Sequence, residues 1–481
     1  MALFTIEELL LATGGHLLSG SKSGRPSRLS IDSRTAKPGE FFVAIQGHRF
    51  DGHLFVPEAL KKGVTGVLVR GDFKASLPRQ RQRPAPIMIG VDDPIRAFQD
   101  LAGFHRRRFD IPVIAISGSN GKTTTTQMIG NILRQEFHLL QTKGNLNNHI
   151  GVPLTLLRLT RRHQLAVLEM GINQFGELTR LCSIARPTVG VLTNIGRTHL
   201  AGLKQLDGVA RAKGELVASL PTNGSAILNA DDGYFPFLSS LAKGPVLSFG
   251  FAPHADVHIT RLRSQRSHAW TFTLRRPGYH RPVAVQLPAH GLHNVANAAA
   301  ASAASFVMGV KSASIRNGLA QFRPMAMRTE IVQWNRVKIL NDAYNANPTS
   351  MQVALETLSQ MRGTRRRIAV LGDMLELGRM AKAAHEEIGV LVANLGIDDL
   401  IVCGALGTHT ATGAIKAGMC RDHVVVTHDD PDTGYPTLLD CLVERLAPGD
   451  SVLVKGSRAM QMERIVDGWK QRFPRGRAQA R

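Results

Sequence analysis

Short apolar runs alternate with amphipathic stretches through the middle of the chain. Val113–Ser117, Leu165–Glu169, Val189–Thr193 and Ala226–Asn229 read as strands, and Thr123–Arg134 and Leu206–Leu220 as helices between them. This alternation predicts a mainly parallel sheet with helices on both faces, a class in which ligands sit at the carboxyl ends of the strands. Ala255 to Leu287 breaks the pattern and reads as two or three antiparallel strands turning at Arg276-Pro-Gly278. An alanine-rich helix is expected from Asn294 to Val307.

The flanking blocks follow related patterns. Before residue 106, short strand-like runs such as Glu40–Ile45 and Gly66–Val69 are separated by polar turns, and Ser76–Pro86 reads as an exposed loop. Thr5 and Glu8 form a capping box for a first helix that Gly14 ends. After residue 323, the runs Val337–Leu340, Ile368–Leu371, Leu400–Val402 and Val452–Val454 alternate with helical segments. A smaller doubly wound sheet fits them. The expected architecture is α/β in three domains: a small N-terminal α/β domain (1–105), a central P-loop-type domain with a mainly parallel sheet (106–323) and a C-terminal Rossmann-like domain (324–481).

The densest chemistry lies where the strand Val113–Ser117 meets its helix, in Gly118-Ser-Asn-Gly-Lys-Thr-Thr124. Gly118 and Gly121 let the backbone approach an anion, and the opening amides of the helix point at it. Lys122 can reach terminal phosphate oxygens, and the Thr123 hydroxyl can hold magnesium. The spacing departs from the common P-loop, which has a glycine where this chain has Ile116; an ordinary strand-to-helix turn rich in small residues is the bland alternative.

Other polar residues follow apolar strands. Glu169, Asn194 and His199 fall where a parallel sheet would bring them to the phosphate turn, so Glu169 and, less naturally, His199 are candidate magnesium ligands. Asn294 opens the alanine-rich helix and reads as a cap or as an amide facing a base. Lys213, in Ala210-Arg-Ala-Lys-Gly-Glu-Leu216, reads as a solvated helical lysine. Asn341-Asp-Ala-Tyr-Asn-Ala-Asn-Pro348 carries more functional groups than a turn needs, and Lys455-Gly-Ser-Arg458 could hold a carboxylate or phosphate.

Composition narrows the class. The 481 residues carry a formal net charge of +22, which suggests anionic partners. Aromatics make up 5% and do not interleave with the basic clusters, so a field steering acidic substrates is expected rather than specific nucleic-acid binding. Clusters such as Arg79–Arg83, His105–Arg108 and Arg472–Arg481 read as solvated loops or inter-domain segments. The four cysteines, Cys182, Cys403, Cys420 and Cys441, form no C-x-x-C pair and are expected to be buried free thiols. No run suggests a membrane span, and the N-terminus lacks a secretion signal, so a cytoplasmic protein is expected.

Taken in order, these residues resemble the Mur ligase family over nearly the whole chain. The markers are Asp32-Ser-Arg34, Pro38-Gly39, Asp51-Gly-His53, Gly118–Thr124, Gly144-Asn-Leu-Asn-Asn148, Glu169-Met-Gly171, His199, Lys213, His293-Asn-Val-Ala-Asn297, Asn341–Pro348, Gly372-Asp-Met-Leu-Glu-Leu-Gly378 and Lys455-Gly-Ser457. Tyr344–Pro348 and Gly372–Gly378 point to the branch that adds D-alanyl-D-alanine. The resemblance implies an ATP- and magnesium-dependent amide ligase of peptidoglycan precursor synthesis, acting through an acyl phosphate on UDP-N-acetylmuramoyl-tripeptide, as a monomer. By the same resemblance, Gly118, Ser119, Asn120, Gly121, Lys122, Thr123 and Thr124 hold the ATP phosphates; Asn294 and Asn297 lie near adenine; and Arg328 and Asp342 complete the site on closure. Thr123, Glu169 and His199 would bind metal, joined by Lys213 if carbamylated. Catalytic roles are expected for Lys122, Glu169, His199, Lys213 and Asp342. Substrate contacts are expected from Ser33, Arg34, Asn145, Asn148, Tyr344, Asn345, Asn347, Lys455 and Ser457. Many relatives have two aspartates where this chain has Asn341-Asp342. A single-amino-acid-adding Mur ligase or a folylpolyglutamate synthase is the rival within the superfamily.

Overall fold

The computed structural model describes residues 3–47, 50–74, 86–265, 269–276, 278 and 281–473. The predicted loop Ser76–Pro86 and the C-terminal arginine cluster therefore fall almost wholly outside the described residues. The chain divides into two compact units: 1–113 with 138–170 and 179–187, and 114–137 with 171–178 and 188–481.

In the first unit, five strands are ordered His16–Ser19, Ile87–Val91, Gly66–Arg70, Phe41–Val43 and Leu29–Ser30; only the first pairs antiparallel. Phe42, Val56, Val67, Val69 and Met88 build the core against one face. The expected capping box forms: Thr5 and Glu8 exchange side-chain and backbone bonds, and Gly14 ends the helix Ile6–Thr13 in the left-handed region. Strands Leu139–Gln141 and Leu165–Glu169 pair in parallel in this unit.

One expectation fails here. His105 and Arg106 are not solvated; both are buried at the end of the helix Pro94–Arg106. Arg106 donates to the carbonyls of Ala185, Phe109 and Ile111, so backbone dipoles replace its water. Charge counting along a sequence cannot see such partners.

In the second unit, Val113–Ser117, Val189–Leu192, Ser225–Asn229, Val246–Gly250 and Val257–Ser264 pair in parallel, and Trp270–Arg275 and Val283–Leu287 extend the sheet antiparallel. The central strands are buried end to end, as parallel strands covered by helices on both faces must be. A further sheet runs Glu330–Trp334, Val337–Asn341, Ser451–Lys455, Arg367–Leu371, Asp399–Val402 and Val424–Val426, parallel except for its first strand. The alanine-rich helix starts earlier than expected, at Leu292, with Gly291 in the capping position. Asn294 is therefore not the cap; its amide donates backwards to the His290 carbonyl at 2.7 Å.

None of the four cysteines forms a disulfide, but only Cys182 and Cys403 are buried. Cys420 is exposed and Cys441 half-buried, which corrects the expectation for that pair. Among the described residues no helix is long and apolar enough to cross a membrane.

Candidate functional site

Strand Val113–Ser117 delivers the chain to Gly118 at φ +139°. A side chain there would meet the Thr193 hydroxyl at 2.0 Å, and one on Gly121 (φ +81°) would meet the Asn297 amide oxygen at 2.3 Å. Both positions require glycine on backbone and steric grounds together. Gly121 caps the helix Lys122–Leu133 and brings no side chain to its opening amides, which leaves them for an anion.

The turn is held from behind by its neighbours. Ser119 N–H donates to the Asn194 carbonyl at 2.9 Å, and Asn120 N–H to the Asn194 side chain at 3.0 Å. The Thr193 hydroxyl and Asn194 amide both donate to the Asn120 carbonyl. Ser119 Oγ accepts from Gly196 N–H at 2.8 Å and donates to the Gly196 carbonyl at 3.0 Å. Asn194 thus acts as a brace for the turn. Lys122 Nζ folds over the loop to the carbonyls of Gly118 (2.8 Å) and Ser119 (3.2 Å). Thr123 is buried in the first turn.

Lys213 overturns its plain reading. It lies 1% exposed in the helix Leu206–Ala218, and its Nζ donates to the Gly118 carbonyl at 3.0 Å. Burial, reinforced by the positive charge of Lys122, holds its pKa well below the usual lysine value. A neutral amine is the form that attacks carbon dioxide.

His199 follows strand Val189–Leu192 in a left-handed conformation (φ +54°), and its Nδ1 lies 2.7 Å from Glu376 Oε2. Asn294 and Asn297 are buried and bonded to each other at 3.2 Å. Asn297 also packs against Gly121. His293 keeps some surface open, but its Nδ1 is sealed from solvent without a partner; burial pushes its pKa down to about 4.

The loop after strand Val337–Asn341 reaches the same turn. Asn347 caps the helix Pro348–Ser359, and its amide donates to Asn120 Oδ1 at 2.8 Å. Asp342 bonds Lys455 Nζ through one oxygen and accepts from Thr329 N–H at 2.8 Å through the other. Lys455 also donates to the Asn345 carbonyl at 2.8 Å. The Arg328 guanidinium lies 3.9 Å over the Tyr344 ring. Ser457 Oγ accepts from Leu375 N–H at 2.8 Å, and Asn345 Oδ1 accepts from Ala346 N–H at 2.9 Å.

The remaining candidates belong to the first unit. Glu169 is 2% exposed; it accepts from Asn147 Nδ2 at 2.7 Å, and its N–H donates to Thr142 Oγ1 at 3.0 Å. Asn147 stands in the Gly144–Asn148 run but was not singled out there. Nothing in the run says which asparagine faces the carboxylate. Asn148 Oδ1 accepts from Ile150 N–H at 3.1 Å and Gly151 N–H at 2.9 Å just before the helix Gly151–Leu156, and the Asn145 carbonyl accepts from Asn147 N–H. Arg34 forks onto Asp32 at 2.8 and 2.9 Å and is exposed, and Lys62 bonds the Ser33 carbonyl at 2.7 Å. Thr193, Asn147, His293 and Glu376 are among the polar residues of these clusters that the sequence does not single out.

A rigid anion-binding turn, a buried lysine behind it and a second parallel sheet bonded to it define an α/β enzyme of the phosphate-handling class. Comparison with known proteins is more specific. The Mur ligase family catalytic domain matches residues 27–102, the Mur ligase middle domain 116–305, and the Mur ligase glutamate ligase domain 327–458. The chain belongs to the Mur ligase family. It is 35% identical over 439 residues to the UDP-N-acetylmuramoyl-tripeptide–D-alanyl-D-alanine ligase of Bacillus subtilis, covering 91% of this chain and 92% of that one. A crystal structure of MurF from Acinetobacter baumannii superposes with TM-score 0.86 at 32% identity, covering 97% of this chain and 99% of the other. MurF from Thermotoga maritima in complex with ADP gives TM-score 0.78 at 26% identity, covering 92% and 97%.

Proposed function

We propose that this chain joins D-alanyl-D-alanine to UDP-N-acetylmuramoyl-tripeptide with cleavage of ATP to ADP and phosphate, making a peptidoglycan precursor. The observation that carries the reading is the relatedness of nearly the full chain to ligases of that name, with the Tyr344–Pro348 loop built onto the phosphate turn. We assign residues 1–105 to the UDP-substrate domain, 106–323 to the ATP domain and 324–481 to the domain that receives the dipeptide.

A carboxylate is a poor electrophile. Its oxygen attacks the γ-phosphorus of ATP, the bond to the β-phosphate oxygen breaks, and ADP leaves. The resulting acyl phosphate is attacked by the dipeptide amine; the tetrahedral intermediate loses phosphate, and the ammonium proton passes to solvent. In this scheme the turn Gly118–Thr124 holds the phosphates, and Lys122 moves from its carbonyls onto the oxygens where charge builds. Asn294 and Asn297 flank the adenine. Arg328, stacked on Tyr344, and Asp342 complete the nucleotide site from the third sheet. Ser33 and Arg34 receive the UDP end. Asn145 and Asn148 in the first unit, and Asn345, Asn347, Lys455 and Ser457 in the second, would each contact peptide substrate. Keeping water from the acyl phosphate demands that the domains close first.

Magnesium fits the donors present. Among the described residues no three His, Cys, Asp or Glu side chains gather into a protein-only cage. Magnesium instead commonly takes one or two protein oxygens and the substrate's phosphates. Thr123 in the second unit and Glu169 in the first each offer such an oxygen, His199 would neighbour a further ion, and magnesium would supply charge neutralisation at the phosphates. Lys213 is carbamylated in this reading: its neutral Nζ bonds the carbon of carbon dioxide, releases a proton and becomes an anion able to face a cation.

The test is phosphate release by the whole chain. It should require both UDP-muramyl-tripeptide and D-alanyl-D-alanine and ignore added DNA or RNA. Turnover with a single amino acid in place of the dipeptide, or with a folate and glutamate in place of both substrates, would replace this reading with its rival. Light scattering of the same sample should give one chain per particle.

A further inference from the structure

Glu376 lies in the Gly372–Gly378 loop after strand Arg367–Leu371, in the sheet that does not carry the phosphate turn. Its carboxylate nevertheless reaches His199 Nδ1 at 2.7 Å, and its backbone carbonyl accepts from Ala201 N–H at 3.0 Å. Both partners of the ring contact hold left-handed backbones, His199 at φ +54° and Glu376 at +63°. Neither is glycine, so local preference does not set these conformations; the contact between the two loops over-determines them. Gly378 (φ +55°) lies beside the same segment: a side chain added there would stand at ordinary contact distance, 3.4 Å, from Ala201 Cα.

We propose that Glu376 is a positioning residue for His199, fixing which ring nitrogen carries the proton and coupling that choice to docking of the third sheet on the central one. The inference rests on reading His199 as a neighbour of the metal. An ionised carboxylate only accepts, so the proton must sit on Nδ1 and the Nε2 lone pair is left for an electrophile. A carboxylate behind a histidine is the arrangement that orients such ligands elsewhere. Here the carboxylate arrives from another sheet, so an undocked third sheet leaves the ring free to take either tautomer. The Arg197–Glu387 ion pair, 2.7 Å, bridges the same two sheets without touching His199 and provides the control.

The experiment is long-range proton–nitrogen NMR of the full chain labelled in histidine, with His199→Asn used to assign the signal. Wild type should show a single Nδ1-protonated tautomer. Glu376→Gln, whose amide can donate as well as accept, should give mixed tautomers, and Glu376→Ala should do the same. In both variants the magnesium concentration for half-maximal ligation should rise about tenfold, while the ATP requirement at saturating magnesium stays within about twofold. Glu387→Gln should leave the tautomer single. An Nε2-protonated or mixed ring in wild type, an unchanged ring in the Glu376 variants, or the same change in Glu387→Gln overturns the proposal. A wild type that shows the single tautomer but forms no peptide bond refutes the ligase reading and leaves the positioning role standing.

Discussion

Two lysines are buried to nearly the same depth in the second unit, Lys213 at 1% and Lys455 at 2% exposure, and their surroundings differ completely. Lys455 ends a parallel strand against the Asp342 carboxylate and the Asn345 carbonyl. Lys213 has the Gly118 carbonyl and the repelling charge of Lys122. The first is an ion pair, so its burial is compensated by Coulomb attraction and hydrogen bonds. The second has no carboxylate against it among the described residues, and burial together with the Lys122 charge holds its pKa well below the usual lysine value, which favours the amine over the buried cation. Depth alone does not set the character of a buried lysine; the partner does.

The largest effect should come from the phosphate side. Lys122→Ala removes the mobile cation of the turn and should lower ligation at least about 100-fold, with binding of the UDP substrate retained by calorimetry. Loss of both together would mean the variant is misfolded. Next, Lys213→Met should abolish ligation yet leave the thermal midpoint unchanged or higher, because no paired charge is lost. Wild-type ligation should fall in carbon-dioxide-depleted buffer and return with bicarbonate. Lys455→Met should differ in stability, losing about 3 kcal/mol by stranding Asp342, with partial recovery of the thermal midpoint in Lys455→Met/Asp342→Leu. Equal stability losses at the two lysines would erase the contrast.

The smallest effect is on acid stability. His105, His293 and His385 have pKa values depressed by burial below the ordinary 6.5. The unfolded chain then binds more protons than the folded one, so stability is full above 6.5 and falls as pH drops below it. For His293, pushed to about 4, the loss at pH 5 is about 2 kcal/mol. Scanning calorimetry between pH 7.5 and 5 should show a falling midpoint; a flat profile would mean these imidazoles gain protons without cost.

How much of this was legible varies by feature. Strands Val113–Ser117 and Leu165–Glu169 stand where the apolar pattern put them, because fully buried parallel strands are written as unbroken apolar runs. The phosphate turn was equally plain, since positive φ and close approach demand glycine at fixed spacing. Lys213 was read wrongly from its helix alone, as was Asn294 as a cap. Asn147 was passed over in favour of Asn145 and Asn148, since three asparagines in five residues carry no mark of direction.

The amino-acid order by itself determined the elements, the glycine turn and the family, because backbone preference and burial act over a few neighbouring residues. Only tertiary structure decided that Lys213 is dry, that Asn120 meets Asn347 and that Glu376 meets His199. Those outcomes depend on solvent exclusion and on contacts between residues as far apart as positions 120 and 347. Such separations leave no periodic trace along a chain.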